Sequence, residues 1–140
     1  MQTIWSSAGQ SLAGVPAFLL YLVAAFALVA IFIVLYTLLT PQREIALIRE
    51  GNAAAAVSLG GAILGFAIPL SKSISQSRDV LDMVVWAIIA LAVQLAAFFL
   101  SGVVISHEAK RISEGDLAAA WYLAFTAVGA GLINSACMTS

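Results

Sequence analysis

The hydrophobic positions of this chain fall into four long uncharged segments, and all charged residues lie in the short stretches between them. The segments cover residues 12–39, 53–70, 83–105 and 117–138. Each is close to or longer than the ~17–25 residues that an α-helix needs to cross a bilayer. The pattern predicts an all-α membrane protein, with four transmembrane helices in a single integral membrane domain over residues 1–140.

The composition supports a lipid environment. Hydrophobic residues make up 63% of the chain and charged residues 9%, whereas soluble domains are about one-quarter charged. A lipid-facing helix needs only its own backbone hydrogen bonds, so it can be apolar on every face. The net charge of -1 provides no basic face for phosphates, which argues against nucleic-acid binding. The expected surroundings are the lipid bilayer.

The basic residues predict the orientation. Four follow the first or third segment and two lie in the loop between the second and third. They are Arg43, Arg49, Lys110 and Arg111 against Lys72 and Arg78. Because loops rich in Lys and Arg stay in the cytoplasm, we expect both termini to be periplasmic or extracellular.

An internal repeat is visible at an offset of 64 residues. Residues 44–71 and 108–135 match without gaps at ten of 28 positions. The most specific matching pairs are Glu50/Glu114, Gly51/Gly115, Gly65/Gly129 and Ser71/Ser135. Repeat one covers approximately residues 12–71 and repeat two approximately 82–135. Since each unit holds two spans, we expect two like-oriented repeats about a pseudo-two-fold axis along the membrane normal.

The same motif of Glu, Gly and Asn or Asp precedes the second and fourth segments. Its members are Glu50, Gly51 and Asn52, then Glu114, Gly115 and Asp116. A short side-chain oxygen there can accept from the free N–H groups of a first helical turn, so we expect repeat starts and helix caps at these positions. Ile45 and Ile48 share one face of residues 42–50, which fits either a short amphipathic interfacial helix or a solvated turn.

Small residues recur at helix-contact spacings in the second and fourth segments. They are Gly61, Gly65, Gly129, Gly131 and Ser135. Membrane helices associate through close backbone approach, so these residues indicate helix packing within or between subunits, with the wall of a narrow pathway as the alternative. We expect Pro69 to end the second span, although a helix break there would instead expose carbonyls to a cation.

A candidate polar pathway consists of Gln94, Asn134 and Ser135. Ionisable side chains deep in a membrane are typical of proton relays, and the four segments contain none. Gln94 lies at mid-membrane depth, where its amide needs an interhelical partner or a polar cavity. Asn134 and Ser135 lie toward the outer end of the fourth segment, facing headgroups or a pathway mouth.

The sequence predicts no enzyme, no cofactor and no metal site. Acid–base catalysis needs convergent titratable groups, whereas the acids and the single His107 lie outside the apolar segments. His107 with Glu108 or Asp116 is the weaker, catalytic alternative. The single Cys137 excludes an intrachain disulfide, and we expect it to be a small buried residue.

The chain resembles the YjfL-like family of bacterial inner-membrane proteins, a domain of unknown function. The resemblance rests on the order of spans, on Gly-Asn-Ala-Ala-Ala-Ala from Gly51, on Gly-Phe-Ala-Ile-Pro-Leu-Ser from Gly65, and on the ending Ile-Asn-Ser-Ala-Cys-Met-Thr from Ile133. It implies four transmembrane helices, a tandem repeat and a bacterial cytoplasmic membrane. It implies no catalytic residues.

Two functional hypotheses follow. In the first, copies assemble as a homo-oligomer that forms a small channel or transport component. In the second, the protein is a non-catalytic membrane scaffold or accessory subunit that docks a cytoplasmic protein partner on residues 44–52 and 107–116.

Overall fold

The computed structural model describes residues 2–41, 43–104 and 107–138. These residues form seven α-helices and no strand. The helices are α1 Gln2–Ala13, α2 Val15–Leu39, α3 Glu44–Arg49, α4 Ala53–Gln76, α5 Val80–Val104, α6 Glu108–Ser113 and α7 Leu117–Cys137. Gln42, Ile105 and Thr139, which belong to predicted segments or to the family motif, lie outside the described residues.

The prediction of four membrane spans is confirmed. Within the described residues, four helices are long and apolar enough to cross a membrane, and they correspond to α1–α2, α4, α5 and α7. The first is longer than expected because α1 continues the apolar pattern toward the N-terminus. The helix is interrupted between α1 and α2 at Gly14, since Pro16 has no N–H for the carbonyl of Leu12.

The expectation that Pro69 ends the second span is wrong. Pro69 lies inside α4, is buried, and the helix continues to Gln76. A proline removes the hydrogen bond to the carbonyl four residues earlier, here that of Gly65. This carbonyl faces Gly131 of α7, so packing between helices holds the segment helical where propensity alone favours a stop.

The helices α4 and α7 run in parallel at the centre of the bundle and form its largest contact. Their approach is close because Gly61, Gly65 and Gly131 have no side chains. A Cβ atom at Gly61 would overlap Ala124, one at Gly65 would overlap the Ala127 carbonyl, and one at Gly131 would overlap the backbone of Gly65. Gly129 does not take part, since a Cβ atom there would meet no atom within 4 Å.

The other helices cover this pair unequally. Helix α5 packs against both α4 and α7, whereas α2 packs against α4 and α5. The main apolar core lies among α2, α4 and α5, with the rings of Phe32 and Phe66 stacked at a centroid distance of 4.8 Å. A second core, around Ile112 of α6, joins the N-terminal ends of α4 and α7.

The two turns that lead into α4 and α7 have the same geometry. Gly51 and Gly115 have φ angles of 88° and 85°, which glycine adopts without strain. Each glycine N–H bonds to a carbonyl three residues back and the next N–H to a carbonyl five residues back, the Schellman pattern of a helix end. Glu50 and Glu114 precede them as the C-cap residues of α3 and α6.

Asn52 and Asp116 then cap the following helices. The Asn52 side chain accepts from the N–H of Ala55 at 3.0 Å, and the Asp116 side chain accepts from the N–H groups of Ala118 and Ala119 at 2.9 and 3.3 Å. The matched turns at an offset of 64 residues are local evidence for duplication. The packing of the preceding helices does not add to this evidence, because α2 and α5 pack differently on the central pair. The two-repeat architecture stays a prediction.

We expect Gly131→Ala to lower the free energy of unfolding by about 1–3 kcal/mol, because the added methyl group overpacks the contact with Gly65. Gly129→Ala is the matched control on the same helix and should lower it by much less. Unfolding in detergent micelles of graded sodium dodecyl sulfate content measures both. Equal effects of the two substitutions would contradict the close α4–α7 contact.

Candidate functional site

The first residue of α3, Glu44, lies inside the protein. Its side chain is 1% exposed, and Ser58 Oγ of α4 donates to Glu44 Oε1 at 3.3 Å. Of the two expectations for residues 42–50, the described part forms the short helix. The placement of Glu44 on its polar face is wrong, because Glu44 and Ile48 turn toward the bundle while Ile45 is exposed. Residues four apart lie on the same face of a helix, so Glu44 comes inside together with Ile48.

Sequence reasoning therefore missed a buried acid. The acids do lie outside the apolar segments of the sequence, but the position of α3 brings the Glu44 side chain into the bundle. One signal was available: Glu44 and Ile48 both match their repeat partners, Glu108 and Ile112, and Ile112 is fully buried.

A hydrogen-bonded series continues from Glu44 into the membrane region. The hydroxyl oxygens of Tyr36 and Ser58 are 3.4 Å apart, and both residues are buried. Ser58 has one hydroxyl hydrogen and donates it to Glu44, so in its contact with Tyr36 the Ser58 oxygen is the acceptor. The Tyr36 hydroxyl also forms a hydrogen bond with Glu44. The series therefore runs from Tyr36 through Ser58 to the Glu44 carboxylate, with bonds longer than the ~2.7–2.8 Å typical of O–H···O contacts.

A small cavity adjoins this series. Its volume is about 20 Å³, and its polar lining consists of Tyr36, Ser58, Gln94, Ser101 and Thr126. A polar cavity needs roughly 10–15 Å³ to hold one water molecule. The Ser101 and Thr126 hydroxyls donate to carbonyls of their own helices, which leaves their oxygens as acceptors toward the cavity.

Gln94 reaches the cavity from α5 and is 3% exposed. Its Nε2 donates to the carbonyl of Ala127 on α7 at 2.9 Å. Because a carbonyl can only accept, this bond fixes which end of the amide is nitrogen. Gln94 Oε1 is buried and has no hydrogen-bond partner among the described residues.

Asn134 forms the reciprocal contact. It is 7% exposed, and its Nδ2 donates to the carbonyl of Ala90 at 3.2 Å, one helical turn from Gln94 on α5. The two amides therefore bond α5 to α7 in both directions. Ser135 is not with them, because it lies in a separate surface groove of about 430 Å³ with Ser71 and Lys72.

The segment between α5 and α7, which contains α6, carries two acids whose pKa values shift in opposite directions. Burial raises the pKa of the Glu108 carboxyl, and its Oε2 has no hydrogen-bond partner in the described part of the chain. A hydrogen bond from Arg111, at 2.7 Å between Nε and Oδ2, lowers the pKa of Asp116, and the N–H groups of the α7 first turn lower it further.

The remaining candidate groups lie apart from this site. His107 is exposed. Cys137 is exposed as well, so the expectation that it is buried is wrong; it faces outward on the last turn of α7. The described residues contain no group of three His, Cys, Asp or Glu side chains placed to hold a metal ion.

Comparisons with known proteins place these features in a family context. A family model described as Domain of Unknown Function (DUF350) matches residues 10–138. The UPF0719 inner membrane protein YjfL of Escherichia coli K12 is 33% identical over 123 residues, covering 88% of this chain and 93% of the relative. The UPF0719 transmembrane protein YshE of Bacillus subtilis 168 is 35% identical over 80 residues, covering 57% of this chain and 59% of the relative. No solved structure matches the chain.

We expect Glu108→Gln to stabilise the protein at pH 8 and to have no effect near pH 4. A raised folded-state pKa means that the favourable contribution of neutral Glu108 is complete below the unfolded pKa of ~4.3 and is lost as the pH rises through the folded value. The gain should stay below about 1 kcal/mol, because solvent screens a half-buried carboxylate.

Thermal unfolding in detergent at the two pH values measures this difference. Glu114→Gln is the control, because that side chain is 63% exposed. A stabilisation by Glu108→Gln that is the same at both pH values would contradict the effect of burial on the carboxyl.

Proposed function

The chain belongs to the DUF350 family and is a multi-pass inner-membrane protein, and from this premise we propose that it acts as an oligomeric small channel or transport component. In this proposal, both termini face the periplasm or the exterior, and α3 and α6 face the cytoplasm. The protein has no catalytic role and needs no cofactor.

The observation that carries the proposal is the series of buried polar side chains that begins at Glu44. Buried polar groups in a membrane are costly unless they are bonded, and a buried ionisable residue in a membrane protein is a functional candidate by default. Interhelical hydrogen bonds account for Gln94 Nε2 and for Asn134 Nδ2. They do not account for a carboxylate that is 1% exposed beside Ser58 and Tyr36.

The polar groups lie at successive depths. With a rise of ~1.5 Å per residue, Ser58 is about 8 Å along α4 from Ala53. Distances along α7 are counted from Leu117. The Ala127 carbonyl, which accepts from Gln94, lies about 15 Å away, and Asn134 lies about 25 Å away. The hydrocarbon core is ~30 Å thick. Polar groups are thus distributed from the cytoplasmic surface past the midplane, as a transport pathway requires.

The proposed homo-oligomer rests on a different feature. The first span, Ile4–Leu39, has 36 residues and is about 54 Å long if fully helical, more than the ~40–45 Å of a whole bilayer. Ile4, Trp5 and Leu12 of α1 are exposed. A neighbouring copy is the proposed cover for this apolar surface, while the polar pathway lies inside each bundle.

A scaffold function is the second candidate, and one observation favours it. Two surface grooves of about 560 and 470 Å³ lie beside the short helix α3. Both are lined by Arg43 and Glu50, and Arg49 lines the first while Lys110 lines the second. The exposed basic groups suit an acidic segment of a cytoplasmic partner. In this case, solute flux would be absent and Arg43→Gln would release the partner.

Ion flux in proteoliposomes tests the proposal. We expect the purified protein to carry a solute down an imposed gradient, and Glu44→Gln to lower the rate by roughly tenfold or more, because hydrogen bonds to charged groups contribute ~1.5–3 kcal/mol. Thr37→Val is the control: it removes a hydroxyl of α2 that bonds only to its own helix. Absence of flux under sodium, potassium, chloride and proton gradients would contradict the transport function.

A further inference from the structure

We propose that the proton is the transported species and that the cavity beside Gln94 holds one water molecule, which joins Gln94 to the Tyr36–Ser58–Glu44 series. This inference rests on the proposed transport function and names its substrate. Its evidence is the size of the cavity, the orphan oxygen of Gln94 and the direction of the hydrogen bonds.

The size of the cavity selects the solute. A volume of about 20 Å³ accommodates one water molecule but not a cation with its hydration shell. The glycine contacts between α4 and α7 leave no wider route beside it, since even one Cβ atom at Gly61 or Gly65 would overlap α7. Proton transfer along hydrogen bonds needs no wider passage.

Gln94 provides the site for the water. Its Nε2 is committed to Ala127, and its buried Oε1 has no protein donor in the described part of the chain although the residue lines the cavity. A buried acceptor without a donor is strongly unfavourable. A water molecule in the cavity donates one hydrogen to this oxygen.

The other bonds orient the same water. Ser58 donates its hydrogen to Glu44, and Tyr36 directs its own hydrogen toward Ser58 and Glu44, so the Tyr36 oxygen is free to accept from the water. The water therefore donates its second hydrogen to Tyr36. Every donor in the series then points toward the carboxylate, from water to Tyr36, to Ser58 and to Glu44.

Proton transfer along this series balances at each oxygen. A protonated water gives one proton to the Tyr36 oxygen, Tyr36 passes its own hydrogen to Ser58, and Ser58 passes its own to the Glu44 carboxylate. Each hydroxyl breaks one O–H bond and forms one, the water returns to neutral, and Glu44 ends protonated. Rotation of the hydroxyls restores the first arrangement after Glu44 releases the proton to the cytoplasm.

The surroundings keep the series selective. Glu108 of α6 acts electrostatically on Tyr36, as Glu44 does, and both acids lie in the short helices that precede α4 and α7. Beyond Gln94, the amides of Gln94 and Asn134 close the outer half by bonding to the Ala127 and Ala90 carbonyls. Proton exchange with the outer side then requires separation of α5 from α7.

The first experiment measures proton uptake in proteoliposomes that contain a pH-sensitive dye, driven by a potassium diffusion potential with valinomycin. We expect uptake by the wild type, a loss of at least about tenfold in Ser58→Ala and Gln94→Leu, and recovery to within about threefold in Ser58→Thr, which restores the hydroxyl. Ser73→Ala is the control, because its buried hydroxyl bonds to the Met83 carbonyl away from the cavity.

The second experiment detects the water without transport. Water-edited solid-state NMR of protein with ¹⁵N-labelled glutamine should show rapid magnetisation transfer from water to the Gln94 side chain, assigned by its absence in Gln94→Leu. Absence of this transfer would overturn the water site, even if protons move.

The results separate this inference from the function on which it rests. Flux of sodium, potassium or chloride without protons would overturn the proton and leave the transport function intact. Folded Ser58→Ala and Gln94→Leu proteins with wild-type proton uptake would overturn the proposed series alone. Absence of flux for every solute would overturn both the inference and the transport function.

Discussion

The close contact between α4 and α7 determines most of this structure. In a bilayer, apolar burial gives helices no preference for each other over lipid, so association depends on close packing and on polar contacts. The glycines at 61, 65 and 131 allow that packing. The same contact positions the polar groups, because a Cβ atom at Gly65 would overlap both the Ala127 carbonyl and the Gln94 amide that bonds to it. A change in the packing of α4 against α7 would therefore also displace the hydrogen bond between Gln94 and Ala127.

The sequence predicted the features that depend on neighbouring residues along the chain. The four uncharged segments correspond to the four spans, because the length of an apolar segment can be read from consecutive residues. The Gly51 and Gly115 turns followed from residue chemistry, since glycine enters the left-handed region freely and Asn or Asp caps the next helix. Features that depend on distant residues were missed. Pro69 stays helical because α7 packs against the Gly65 carbonyl that Pro69 leaves without its helical hydrogen bond. The spacing of the glycines also does not reveal that α7 turns Gly131, and not Gly129, toward α4.

Glu44 illustrates the same limit at the candidate site. The four apolar segments contain no charged residue, and the buried acid enters the bundle from the six-residue helix α3 instead. Gln94 was recognised from its depth, but its free Oε1, its bond to Ala127 and the adjoining cavity depend on three helices meeting. A short connecting helix can thus supply a buried acid to a membrane protein while the long apolar segments contain none.

The interruption between α1 and α2 at Gly14 has a consequence for the membrane itself. Helix α2 has 25 residues and alone spans about 37 Å, so the bilayer thickness decides how much of α1 enters the lipid. Where the membrane is thin, α1 can fold over at Gly14 and lie in the headgroup layer; where it is thick, α1 can extend the span. A change of direction at this point would relieve hydrophobic mismatch without tilting the rest of the bundle.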